Sequence, residues 1–185
     1  MAKARTTDLG RTRVQTGGAP TYCSTTEGTV SSGTAGATTV RLAHLWHPST
    51  ETLAYRIQSI TATWAGGSGG DPVQFRIYKT TALGTPGATT KTITQTGGPA
   101  QTLDSSTNFY GGHTGNPTRG GIVAIAAASL SSPGCVEFSA ANFVDGEPLT
   151  ILEAVNGGYE LVVVTGTAGP TVAAGIAVDV AFSAR

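Results

Sequence analysis

A chain of 185 residues is long enough for one domain that buries about two-thirds of its unfolded surface without disulfide or metal staples. Charged residues make up 12% of it, against about 25% in a typical domain, and eleven Lys and Arg balance eleven Asp and Glu. A neutral, charge-poor surface favours association over dispersal, and it argues against a protein whose task is to hold nucleic acid by bulk electrostatics.

The first stretch, "MAKARTTDLGRTRVQTGGAP", has no apolar centre of the signal-peptide kind, and no run in the chain reaches the length of a membrane span. The expectation is a protein made and used without secretion and with no membrane partner. Lys3, Arg5, Arg11 and Arg13 face only Asp8, and residues 1–37 hold few large apolar side chains. Such a segment cannot bury itself, so residues 1–37 are expected as an extended arm that orders against a neighbour, with residues 38–185 as the folded domain. After Gly120 the charge reverses: Glu137, Asp145, Glu147, Glu153, Glu160 and Asp179 face only Arg185. A basic arm and an acidic last third would steer one subunit onto another; the plainer alternative is a solvated tail and scattered surface acids. Cys23 and Cys135 are either two thiols or one bridge. A bridge would contribute about 4–5 kcal/mol, provided their Cα atoms lie within about 7 Å.

Residues 40–46 alternate as a strand, with Val40, Leu42, His44 and Trp46 on one face and His47 on the other. Two histidines on opposite faces cannot chelate one ion. The third, His113, sits in a glycine-rich loop far from any cysteine in sequence, so no zinc site is expected. Pro48 and Ser49 begin a turn. Residues 53–64 change phase midway, from Leu53, Tyr55 and Ile57 to Ile60, Ala62 and Trp64, which a bulge near Gln58-Ser59 explains. "GGSGG" (66–70) fits a nucleophile-elbow pattern, and Ser68, Asp104 and His113 follow in hydrolase order. The pattern works only between a strand and a helix, whereas here Trp64 closes one strand and Val73 opens another, so a hairpin loop is expected.

Val73, Phe75 and Ile77 alternate with Gln74, Arg76 and Tyr78 as a further strand. The next forty residues are loop-rich, with a short strand near 92–96 and with Tyr110 and His113 as loop residues able to contact a ligand. "GGIVAIAAASLSSPG" has helix-forming alanines, but its flanking glycines and Ile-Val-x-Ile centre point to a strand. "VDGEP" reads as a turn with solvated carboxylates rather than the acid pair of a glycosidase. "EPLTILEAVNGGYELVVVTG" reads as a hairpin turning at Asn156-Gly157-Gly158. The closing strand sets Val172, Ala174, Ile176, Val178, Val180 and Phe182 on one face. No Walker loop, CxxC pair or GxGxxG is present, and "TRGG" is a lone Arg-Gly-Gly, so no cofactor, metal or catalytic residue is expected. About eight strands with no covering helix predict an all-β fold, a jelly-roll-like antiparallel β-sandwich.

The succession "VRLAHLWHPSTETLAYRIQSITATW", "VQFRIYKTTALGTPG", "GGIVAIAAASLSSPG", "GEPLTILEAVNGGYELVVV" and "IAVDVAFSAR" resembles small β-sandwich virion structural proteins of tailed bacteriophages, over about residues 40–185. The shared features are a turn before a long strand, an Arg-containing strand ending in a Thr/Gly/Pro turn, and a terminal strand pair; His47 stands where the pattern has Asn. The resemblance implies a non-enzymatic virion component assembled in the host cytoplasm, either an auxiliary or decoration protein on a capsid or a tail or neck attachment. It further implies self-association as a trimer or larger symmetric oligomer and contact with other virion proteins such as the major capsid protein. Two other readings follow from the residues. One is a carbohydrate- or receptor-binding module using Trp46, Trp64, Tyr78 or Tyr110; the other is a small jelly-roll coat protein with its basic arm turned inward.

Overall fold

The computed structural model describes residues 5–6, 12–13, 21–27, 38–50, 54–68, 70, 72–85, 93–95, 109–111, 115–139, 143, 149–151, 156–166 and 175–184. All regular structure among them is strand: β1 (Arg5–Thr6), β2 (Thr12–Arg13), β3 (Thr21–Glu27), β4 (Thr38–His47), β5 (Tyr55–Trp64), β6 (Val73–Ala82), β7 (Ile93–Gln95), β8 (Phe109–Gly111), β9 (Thr118–Ala128), β10 (Gly134–Ser139), β11 (Leu149–Ile151), β12 (Gly157–Thr165) and β13 (Ile176–Ala184). The all-β sandwich expected from the sequence is therefore present. One sheet runs β10-β5-β13-β3-β7, with β11 also on β5, and the other runs β8-β4-β12-β6-β9; β1 and β2 form a separate ladder. Every pairing is antiparallel.

The core lies between the sheets and is built from the alternating positions. Tyr55, Ile57, Ile60, Ala62 and Trp64 from β5, and Ile176, Val178, Val180 and Phe182 from β13, meet Val73, Phe75 and Ile77 of β6 and Tyr159, Leu161 and Val163 of β12. Trp64 stacks on Phe75 across the interlayer at 5.5 Å between ring centroids, and its Nε1 donates to the Ser132 carbonyl at 2.7 Å. Gly134, facing Trp64, has no room for a side chain: an added Cβ would lie 2.8 Å from the indole.

Several sequence expectations are met. Residues 118–128 are a strand. The phase change in β5 is a bulge: Ile57 pairs with Phe182 and Ser59 with Ala181, leaving Gln58 as the extra residue. Other expectations need correction. Segments 149–151 and 157–165 do not form a hairpin, because β11 joins β5 in one sheet and β12 lies between β4 and β6 in the other. Likewise the "GGSGG" loop is no hairpin turn, since it carries the chain from β5 in one sheet to β6 in the other. Both errors have one cause: period-two patterning identifies a strand but not the sheet that receives it. Within residues 1–37, Thr21–Glu27 pairs with β13 along its whole length and with β7 on its other side. That part of the stretch expected as an arm is an internal strand.

Candidate functional site

The polar residues that the core does not use gather on the outer face of the β8-β4-β12-β6-β9 sheet. A bulge at Leu42 governs their placement: Leu161 pairs with Ala43 and Val162 with Arg41, so Leu42 is skipped. Val40 therefore turns inward, and Arg41 joins His44 and Trp46 on the outer side. The expected face of Val40, Leu42, His44 and Trp46 is corrected accordingly. The separation of the two histidines stands. His47 packs edge-on against core Tyr55 at 4.7 Å, while His44 lies on the other side of the strand, edge-on to Trp46 at 5.7 Å.

At the centre of this outer face is Glu160, 0% exposed in the middle of an apolar strand. Arg119 holds it bidentately, Nε donating to Oε2 at 2.6 Å and Nη2 to Oε1 at 3.1 Å, and Arg41 stands 3.7 Å away. The Arg119 guanidinium also lies 4.9 Å over the Tyr78 ring. Burying a carboxylate is costly unless it is paired and hydrogen-bonded, and the fork geometry of arginine supplies both. One strand-step away, His44 Nε2 and Thr80 Oγ1 share a hydrogen bond of 2.8 Å. They meet above Gly158, where an added Cβ would stand 2.5 Å from the Leu45 carbonyl oxygen, 2.8 Å from His44 Nε2 and 2.9 Å from Thr80 Oγ1. The glycine read as a turn residue is thus a clearance in a central strand. An imidazole beside a hydroxyl is the geometry that activates a nucleophile, but both residues are fully buried, and the bond ties β4 to β6 across β12.

A cleft of about 350 Å³ opens near the start of β12, where residues of both sheets meet; its lining includes Lys79, Thr81, Thr150, Asn156 and Tyr159. The Ser49 amide donates to Asn156 Oδ1 at 2.7 Å, fixing the turn after β4 against the start of β12. Tyr159 donates to the Thr150 carbonyl at 3.4 Å, and burial raises its phenol pKa above 10.0.

Among the described residues, those singled out in the sequence do not gather at one site. Arg5 and Arg13 are Cα partners in the β1–β2 ladder, while Lys3, Arg11 and His113 lie outside the described residues, as does Asp104. Tyr110 is half-buried on β8, paired with His44, and desolvation raises its pKa above 10.0. Trp46 and Trp64 are buried. Cys135 is an exposed free thiol. Its strand is three places from that of Cys23 in the sheet, roughly 14 Å at the usual strand spacing; the alternative of a bridge between them is set aside, since a disulfide spans about 7 Å at most. Among the described residues no three His, Cys, Asp or Glu side chains are placed to hold a metal ion. Glu160 had one sequence signal, a carboxylate inside the run "YELVVV". Its arginine partner, 41 residues away, had none. No protein-family model, curated protein or solved structure matches this chain.

Proposed function

We propose that this protein is a non-enzymatic structural subunit of a virus particle, an auxiliary or decoration protein of a bacteriophage capsid or a tail or neck component. The observation that carries the reading is the strand order. The eight longer strands of the sandwich divide into β3-β13-β5-β10 and β4-β12-β6-β9, an order that supports the jelly-roll reading, two Greek keys in one sandwich, an architecture that recurs in capsid and lectin domains. One further feature supports assembly: the chain is neutral and charge-poor. In this reading residues 1–20, with Lys3, Arg5, Arg11 and Arg13, reach a neighbouring subunit or the capsid shell.

The test is the solution mass of the full chain, by size exclusion with light scattering, beside the chain lacking residues 1–20. The expected result is a trimer or larger closed oligomer that weakens on truncation. A monomer at every accessible concentration would count against the reading. The cleft beside Asn156 favours a second reading, a glycan-binding module: its volume is that of small-ligand sites, and its hydroxyls and amide suit a polyol. Titration with a glycan array distinguishes it, since saturable binding abolished by Asn156→Ala would favour the module.

A further inference from the structure

The stretch Asn156-Gly157-Gly158 reads in the sequence as a hairpin turn, and the structure makes it the entry to a central strand. Asn156 is exposed, and Gly157 is the first residue of β12. The ladder to β4 begins at Gly157, opposite His47, whereas the ladder to β6 begins one residue later, at Gly158 opposite Thr80. Gly157 thus stands at the open end of the sheet, where local opening costs least. From the turn after β4, the Ser49 amide donates to Asn156 Oδ1 at 2.7 Å. A backbone N–H can only donate, so the side-chain oxygen faces Ser49 and Nδ2 lies on the other side of Cγ.

An asparagine side chain is open to attack by the backbone nitrogen of the residue that follows it, and that residue decides whether the attack succeeds. The chain has four asparagines. Asn116 precedes Pro117, whose nitrogen has no proton to give up. Asn108 and Asn142 precede Phe109 and Phe143, whose side chains crowd the approach. Asn156 alone precedes a glycine, which has no Cβ in the way and the backbone freedom to turn its nitrogen toward Cγ.

We infer that Asn156 is a site of spontaneous modification, where the amide is exchanged for a carboxylate through a succinimide formed with Gly157. The Gly157 nitrogen gives its proton to water and bonds to Asn156 Cγ; the Cγ–Nδ2 bond breaks, and Nδ2 takes up a proton and leaves as ammonia. Water then adds to one of the two ring carbonyls and the ring C–N bond at that carbon breaks. Opening at Cγ leaves an aspartate; opening at the main-chain carbonyl leaves an isoaspartate, with the chain running through the former side chain. During the attack Oδ1 gains negative charge, and the Ser49 N–H already stands on it as the donor that stabilises such an oxyanion. The product alters the cleft at the start of β12: a carboxylate enters the lining that Lys79 shares, and an amide donor suited to a polyol is lost. The inference is independent of the assembly reading and of whether the cleft binds a glycan.

The test incubates the full chain, native and in urea, in mildly alkaline water enriched in heavy oxygen, and maps its peptides by mass spectrometry. The native protein should convert Asn156 to aspartate and isoaspartate together, each carrying solvent oxygen, at a rate comparable with that of the unfolded chain, while Asn108, Asn116 and Asn142 keep their amides. Gly157→Ala should slow the conversion several-fold with the fold intact, because the added Cβ meets Ile151 Cγ2 at an ordinary 3.5 Å. Ser49→Pro removes the donor and should slow the native reaction about tenfold, less than for a donor in a water-excluded site, and leave the unfolded one unchanged. Circular dichroism checks that both variants are folded. A native chain that keeps the Asn156 amide over the time in which the unfolded chain loses it overturns the inference, as does a Gly157→Ala rate equal to that of the wild type. An unchanged or faster native rate in Ser49→Pro overturns the role given to Ser49.

Discussion

At the scale of single residues, the outer polar cluster concentrates the largest effects. Arg119→Ala strands a fully buried carboxylate with only Arg41 nearby. The cost should be about 3 kcal/mol, the low end for a broken buried pair because Arg119 is itself 24% exposed. Glu160→Leu combined with Arg119→Leu should recover much of that loss, since the buried carboxylate is removed together with Arg119; urea unfolding of both variants beside the wild type gives the comparison. Gly158→Ala should cost about 1–3 kcal/mol or more by driving a Cβ into the Leu45 carbonyl oxygen and forcing His44 and Thr80 apart, again read from the urea midpoint. Tyr159 adds a pH dependence of definite sign. Its folded pKa is raised above 10.0 by burial, so the unfolded chain loses that proton first as pH rises. The contribution is constant below about pH 10 and falls away between the unfolded and folded values. Thermal melts across the alkaline range should show this limb, and Tyr159→Phe should reduce it, leaving the part that Tyr110 contributes with the same sign.

At the scale of elements, the bulges decide which faces meet. In β5, Gln58 is the one residue without a Cα partner between the two halves. Removing it restores strict alternation from Tyr55 to Trp64 with every buried residue still facing the core. Deleting Thr61 instead would turn Tyr55 and Ile57 outward while Ala62 and Trp64 stay in place. The expected outcome is a folded, cooperatively melting protein without Gln58 and an unfolded one without Thr61, checked by circular dichroism and heat. This bulge was legible because its two halves each carry a clear apolar phase. The one at Leu42 was not, because Val40, Leu42, His44 and Trp46 already read as one continuous face. Only the pairing of Arg41 with Val162 reveals the slip.

For the whole molecule, the layers are joined by large contacts such as the stack of Trp64 on Phe75. Trp64→Ala should cost about 3–5 kcal/mol in urea unfolding, because it removes the indole, its bond to Ser132 and the filling opposite Gly134. The sheet order also sets the chemistry of Cys135. A thiol reagent should modify it in the native protein without reductant, and Cys135→Ser should remove that adduct in the intact-mass spectrum.

By itself the sequence determined the fold class, the extent of most strands, the inward faces of β6 and β13, and the bulge at Gln58, because each depends on local alternation against water. Tertiary structure alone decided that β5 and β6, and β11 and β12, belong to different sheets, that Thr21–Glu27 is an internal strand, and that Glu160 meets Arg119. These are pairings between segments tens of residues apart. The free energy of such a pairing comes from burial and hydrogen bonding after the chain has closed on itself, and no local period records which partner will be there.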